Sequence, residues 1–217
     1  MITFADLLND VRIDMRDANA ATPRWSDADI YLVVKDGIRD YSLWFPKRVD
    51  RLEIASVTGK FPLPSDFIED IHVESPIDTY LEKQRRRPGV RYRASSRPMY
   101  YYIQGGSLYL SNPPLDGDTI FLTYSALHGV PISEKDTTFE LTVPEVDIEV
   151  IRLYAKGRLY ARLRGGQSSL DRFKQTGKRD DNPLVPEVDD TMADYYRAIA
   201  VRYRGGDVKL YRSGRMK

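Results

Sequence analysis

Apolar residues recur every three or four positions in several stretches of the chain and alternate with polar ones in the middle, and this change of period divides the sequence. Residues 142–166 carry the fullest helical pattern. Val146, Val150, Leu153, Tyr154, Gly157 and Ala161 form one stripe, Thr142 with Glu145 has the spacing of a capping box, and Pro144 suits a first turn. Glu145, Asp147 and Glu149 oppose the positive end of the helix dipole, while Arg158, Arg162 and Arg164 precede Gly165-Gly166, where the pattern predicts a stop. Gly157 and Ala161 are small residues on a bulky stripe beside Tyr154. They point to close approach of another helix and are read as subunit-packing positions, a merely tolerated glycine being the alternative.

Upstream, Thr3 caps a short amphipathic helix bearing Phe4, Leu7, Leu8, Val11 and Met15, with Asp6 three residues after the cap. Ser26 caps a second helix whose stripe is Ile30, Val33, Val34, Ile38, Tyr41 and Phe45, and Pro46 ends it. Trp25 has the position of a hydrophobic staple onto Ile30. Downstream, Leu170 and Phe173 predict a short helical piece over 167–177. Residues 178–183 are a polar break, and a last helix from Pro186 carries Val188, Met192, Tyr195, Tyr196, Ile199 and Tyr203.

The middle reads as strands and turns. Leu52 to Val57 is a strand, residues 58–60 a turn, and 61–67 an extended piece with one tight helical turn capped by Ser65 or Asp66. Ile71 and Val73 re-enter a strand. Residues 98–104 and 107–111 flank Gly105-Gly106 as a hairpin, and 119–124 is a further strand. These elements predict an α+β fold that is mainly α, a helical bundle with an inserted small antiparallel β-sheet domain. The expected divisions are 1–48 with 142–203 for the bundle and 49–141 for the β region with a basic loop at 83–97. Residues 204–217 would be an extended basic C-terminal arm.

Composition narrows the class. The 217 residues are 41% hydrophobic and 30% charged. That is enough apolar content for a soluble globular core. No apolar run approaches the roughly 18 residues of a membrane span, and the N-terminus lacks the order of a signal peptide, so neither a membrane nor a secreted location is expected. Without cysteine there is no disulfide, thiolate metal site or cysteine nucleophile. A net charge of +1 leaves nucleic-acid contact to local patches. One such patch holds Lys83, Arg85, Arg86, Arg87, Arg91, Arg93 and Arg97 without an acidic residue. It is either a solvated loop or a contact with DNA or an acidic partner.

The C-terminal arm carries Arg204, Lys209, Arg212, Arg215 and Lys217 against Asp207, with Val208, Leu210 and Tyr211 between them. That pattern suits a segment that orders on a partner by adding a strand or filling a groove. Catalytic signals are sparse. His72 and His128 are the two neutral-pH acid-base groups, neither has a metal-ligand spacing, and both are read as structural. The acidic residues Asp180, Asp181, Glu187, Asp189 and Asp190 lack calcium-loop spacing. No metal or cofactor is expected.

The order of RWSD at the start of the second helix, LPSDF at 63–67, DGDTIFLTY at 116–124 and the PEVDIEVI helix start at 144–151 is similar to that of tailed-bacteriophage head-tail adaptor (connector, head completion) proteins. The resemblance covers residues 3–177. It implies a structural, non-catalytic virion protein of the neck, present in the host cytoplasm during assembly and forming a ring, expected dodecameric, on the portal at the capsid vertex. It also implies a C-terminal extension docked on the portal protein, a tail or neck protein below, neighbouring copies at the sides, and double-stranded DNA passing through the channel. The arm residues for that docking would be Arg204, Val208, Lys209, Leu210, Tyr211, Arg212 and Arg215. The arginines between Lys83 and Arg97 match no motif of the resemblance. Two other classes stay open: a nucleic-acid-binding protein using the arginine-rich loop and tail, and an enzyme acting through His72 or His128 with a carboxylate.

Overall fold

A computed structural model of the protein describes residues 2–17, 23–55, 60–84, 97–114, 119–136, 138–173 and 184–203. The chain divides into two compact units, one of Met1–Trp44 with Gly129–Lys217 and one of Phe45–His128.

In the first unit, the Thr3 hydroxyl accepts from the Asp6 backbone N–H at 3.2 Å and the Asp6 carboxylate accepts from the Thr3 N–H at 3.0 Å. This reciprocal cap starts α1 (Phe4–Asp14) and holds the Asp6 carboxyl below the usual carboxylate range. Ser26 caps α2 (Asp27–Trp44) through the Asp29 N–H at 3.1 Å. Arg12 joins the two helices, bonding Asp17 at 3.1 Å, the Trp25 carbonyl at 3.1 Å and Asp27 at 2.5 Å. A 3-10 turn (Glu145–Asp147) leads into α3 (Ile148–Phe173), and α4 (Leu184–Arg202) packs on it. Phe4, Leu7, Ile30, Ile38, Tyr41, Ile151, Leu159 and Tyr195 are buried as the core of this unit. Arg152 of α3 forks onto Asp14 of α1, with Nε at 2.9 Å and Nη2 at 2.7 Å from the carboxylate oxygens. That pairing raises the guanidinium pKa further.

Two close approaches set the helix spacing. A Cβ on Gly37 would sit 3.0 Å from the Tyr154 ring, and one on Gly157 would sit 2.6 Å from Met192 Sδ. The helix that Gly157 admits is α4 of the same chain. Gly157→Leu is expected to lower stability by about 2 kcal/mol by prising α4 away. Gly157→Ala should be near neutral, because a gain of about 1 kcal/mol in helix propensity offsets the displacement of a flexible methionine. Urea unfolding followed by circular dichroism checks both.

The second unit holds β1 (Lys47–Ile54), β2 (Phe61–Pro62), β3 (Phe67–Glu74), β4 (Glu82–Lys83), β5 (Tyr100–Gln104), β6 (Ser107–Leu110) and β7 (Ile120–Ala126). They form a three-stranded antiparallel sheet in the order β1-β7-β3 and a four-stranded sheet in the order β2-β6-β5-β4. In the latter β4 runs parallel to β5. Gly105 and Gly106 take φ of 57° and 73°. Such a left-handed pair is what a two-residue hairpin turn requires. Tyr102 and Tyr109 stack across that hairpin with centroids 4.9 Å apart, a cross-strand aromatic pair of the kind that stabilises sheets. Inner residues of both sheets, among them Val73, Leu122, Tyr124, Phe61, Tyr101 and Leu108, make one buried cluster.

The expectation of a mainly helical bundle with one small inserted sheet is therefore corrected. The described residues hold four α-helices and seven strands in two sheets. The strand runs are longer than their alternation suggests, since β1 begins directly after Pro46 and β3 directly after the turn that Phe67 N–H closes onto the Pro64 carbonyl at 3.1 Å. With a hydrophobic cluster of its own, the β unit stands as a second fold-forming half.

Two local expectations also fail. The long helix does not stop at Gly165-Gly166 but runs to Phe173. A glycine pair costs a helix only about 2 kcal/mol, and no proline enforces the break. Val146 is 68% exposed. The 3-10 turn rotates it off the stripe that the α-helical period assigns to it.

Candidate functional site

The chain leaves α4 beside the start of α3, and that junction is tightly built. Asp147 is buried and receives the Tyr41 hydroxyl at 2.5 Å. Its other oxygen pairs with Arg202 Nε at 2.6 Å, and Arg202 Nη2 also donates to the Val146 carbonyl. Trp44, at the end of α2, meets Tyr203 edge-on with centroids 6.1 Å apart. Burial, and then the Asp147 carboxylate, push the Tyr41 hydroxyl pKa well above its ordinary value, so it stays a donor. The ends of α2 and α4 and the beginning of α3 are thus locked together at the point from which residues 204–217 continue.

Exposed apolar side chains flank this lock: Leu43, Val146 and Val201 are each more than half exposed. Next to it lies a groove of about 590 Å³ bordered by Ile2, Leu141, Val143 and Pro144, with the exposed carboxylates Glu140 and Glu145 on its rim. Backbone bonds from Phe4 N to the Phe139 carbonyl, 2.8 Å, and from Leu141 N to the Ile2 carbonyl, 3.2 Å, fix that border against the N-terminus. Sequence reasoning misses this junction. Asp147 reads as first-turn charge and Tyr41 as an apolar stripe residue, and only the pairing of positions far apart in sequence makes them a site.

Of the subunit-packing positions, Gly157 and Tyr154 are buried within this chain, against α4 and α2. Tyr154 meets Tyr195 edge-on at 5.3 Å and carries Arg158 over its face at 5.1 Å. Ala161 is exposed and borders a second groove, about 460 Å³, with Val33, Asp36, Arg158 and Arg162. The arm residues Arg204, Val208, Lys209, Leu210, Tyr211, Arg212 and Arg215 lie outside the described residues, as do Arg85, Arg86, Arg87, Arg91 and Arg93.

The two ends of the arginine-rich segment are described. Lys83 pairs with Asp70 at 2.5 Å, the Gln84 N–H reaches the Tyr101 carbonyl at 2.8 Å, and the Arg97 carbonyl accepts from Asn112 at 3.2 Å. Lys83, where the segment begins, thus lies on β4, an edge strand of the four-stranded sheet.

The histidines are engaged in packing. His128 is buried with Nε2 3.0 Å from the Phe45 carbonyl, and His72 Nε2 lies 3.2 Å from the buried Glu74 carboxylate, edge-on to Tyr80. No group of three or more potential metal ligands occurs among the described residues, and no described helix is long and apolar enough to cross a membrane. A protein-family model described as SU10 adaptor protein matches residues 2–184. No curated protein matches the chain.

Proposed function

The chain belongs to the SU10 adaptor protein family, a phage head-tail adaptor family with a structural role in the virion, and on that premise we propose that it closes into a ring of twelve copies docked on the portal at the capsid vertex. Residues 204–217 form the portal-binding arm, duplex DNA crosses the channel without being read in sequence, and the next tail or neck protein lands on the face away from the portal. The observation that carries this reading is the family match together with the locked junction of Asp147, Tyr41 and Arg202, which gives an arm a fixed root on the body.

Deleting residues 205–217 tests it. Circular dichroism and melting should stay nearly unchanged while decoration of portal-bearing heads is lost, and Leu210→Asp or Tyr211→Asp should give intermediate occupancy. A truncated protein that decorates heads at wild-type occupancy moves the portal contact to the body.

A further inference from the structure

We propose that, before assembly, the acid-rimmed groove beside the start of α3 is the seat of this chain's own C-terminal segment. Three observations converge. The root of the segment is already there, because Arg202 bonds the Val146 carbonyl and Asp147, and Val146 adjoins Glu145 on the groove rim. The charges match: the rim offers Glu140 and Glu145 with no basic residue among those bordering the groove, whereas the segment brings Arg204, Lys209, Arg212, Arg215 and Lys217 against Asp207. The reach suffices, since the six residues from Tyr203 to Lys209 span up to about 20 Å when extended.

Apolar positions agree as well. Val208 and Leu210 stand on either side of Lys209, a spacing of two that puts both on one face of an extended peptide. Ile2 and Pro144 border the groove of about 590 Å³ that would receive them. Seating in the same molecule follows from the root, because the tether keeps the segment's effective concentration far above that of another copy. The groove thereby holds a basic, sticky segment until a portal offers a better surface. This deepens the arm reading, but it is tested on the protein alone, so either can fail without the other.

The chain has no cysteine, which permits a clean cross-linking experiment. Pro144→Cys with Val208→Cys should form an intramolecular disulfide at least about tenfold faster than Ala161→Cys with Val208→Cys, as expected for a seated rather than a wandering tether. Adding Glu140→Lys and Glu145→Lys should slow the groove pair at least about fivefold, the scale of losing exposed ion pairs and facing like charge. High salt should slow the unreversed pair in the same direction, which keeps the test valid if the reversed variant folds poorly. Equal rates for the two cysteine pairs, indifference to charge reversal and salt, or disulfide-linked dimers rather than the intramolecular disulfide as the main product of the Pro144→Cys, Val208→Cys double variant at low protein concentration would each overturn the proposal. Head decoration by the arm-deleted protein bears on the portal reading only and leaves the disulfide result standing.

Discussion

Raising the pH from 10 towards 12 is expected to unfold the protein steeply, because four tyrosine hydroxyls are buried against carboxylates. Tyr41 and Tyr195 donate to Asp147 and Asp40 in the helical unit, and Tyr101 and Tyr124 donate to Asp70 and Asp66 in the sheet unit. Burial first, and the neighbouring carboxylate second, raise all four; Tyr124 is pushed up to about 12 and the others higher. A tyrosine in the unfolded chain titrates near 10. Below that pH both states hold the proton and the stability is complete. Above it the unfolded chain loses its proton first, so stability falls by about 1.4 kcal/mol per pH unit for each tyrosine until the folded group titrates. Two such groups in each unit make the fall about 3 kcal/mol per pH unit. The pair Tyr41→Phe and Tyr195→Phe should flatten this fall in the helical unit, and Tyr101→Phe with Tyr124→Phe in the sheet unit, each change costing about 1 kcal/mol at neutral pH. Far-UV circular dichroism and tyrosinate absorbance across the alkaline range check it. Unchanged alkaline curves in the phenylalanine variants would place the loss elsewhere.

What is legible in the sequence is what neighbours in the chain decide. The Thr3–Asp6 reciprocal cap, the Ser26 cap and the Gly105-Gly106 hairpin depend on residues within a few positions of each other, and each stands in the structure as the pattern requires. Balances between elements are not legible. Gly165-Gly166 has the composition of a stop, yet the helix runs through it. Gly37 gives no signal of its own, although the 3.0 Å approach to the Tyr154 ring makes it a point where α2 and α3 touch.

The weight of β structure escapes a local reading for the same reason. Pairing of β1 and β3 on either side of β7, and of β4 alongside β5, joins segments far apart in sequence, and no local period announces it. The candidate site shares this property. Tyr41 and Asp147 are 106 positions apart, and Arg202 and Val146 are 56 apart, so each looks ordinary where it stands.

The same long-range logic makes Glu74 the most consequential carboxylate of the sheet unit. Its side chain is fully buried at the end of β3, where one oxygen meets Arg51 Nε at 3.3 Å and His72 Nε2 at 3.2 Å, and the other accepts the Asp78 N–H at 2.8 Å. Arg51 and Asp78 also pair with each other, and both hold left-handed backbone, φ 49° and 63°, without being glycine. Each such conformation costs on the order of 1 kcal/mol, and the ring of bonds around Glu74 is what fixes them. Arg51 sits in the bulge of β1, and its N–H reaches Thr123 of the central strand at 3.1 Å, so the carboxylate ties three elements together. Glu74→Ala should therefore cost the sheet unit about 3 kcal/mol, leaving Arg51 Nε and the Asp78 amide without their acceptor and two strained residues with only their mutual ion pair for support. Glu74→Gln keeps an oxygen for the Asp78 N–H and should cost about half as much. Hydrogen exchange at the amides of β3 and β7 reads the sheet unit separately from the helices, which matters because two units need not unfold as one. Protection lost by less than about tenfold in the alanine variant, roughly 1.4 kcal/mol, would show that Arg51 and Asp78 hold the bulge by themselves.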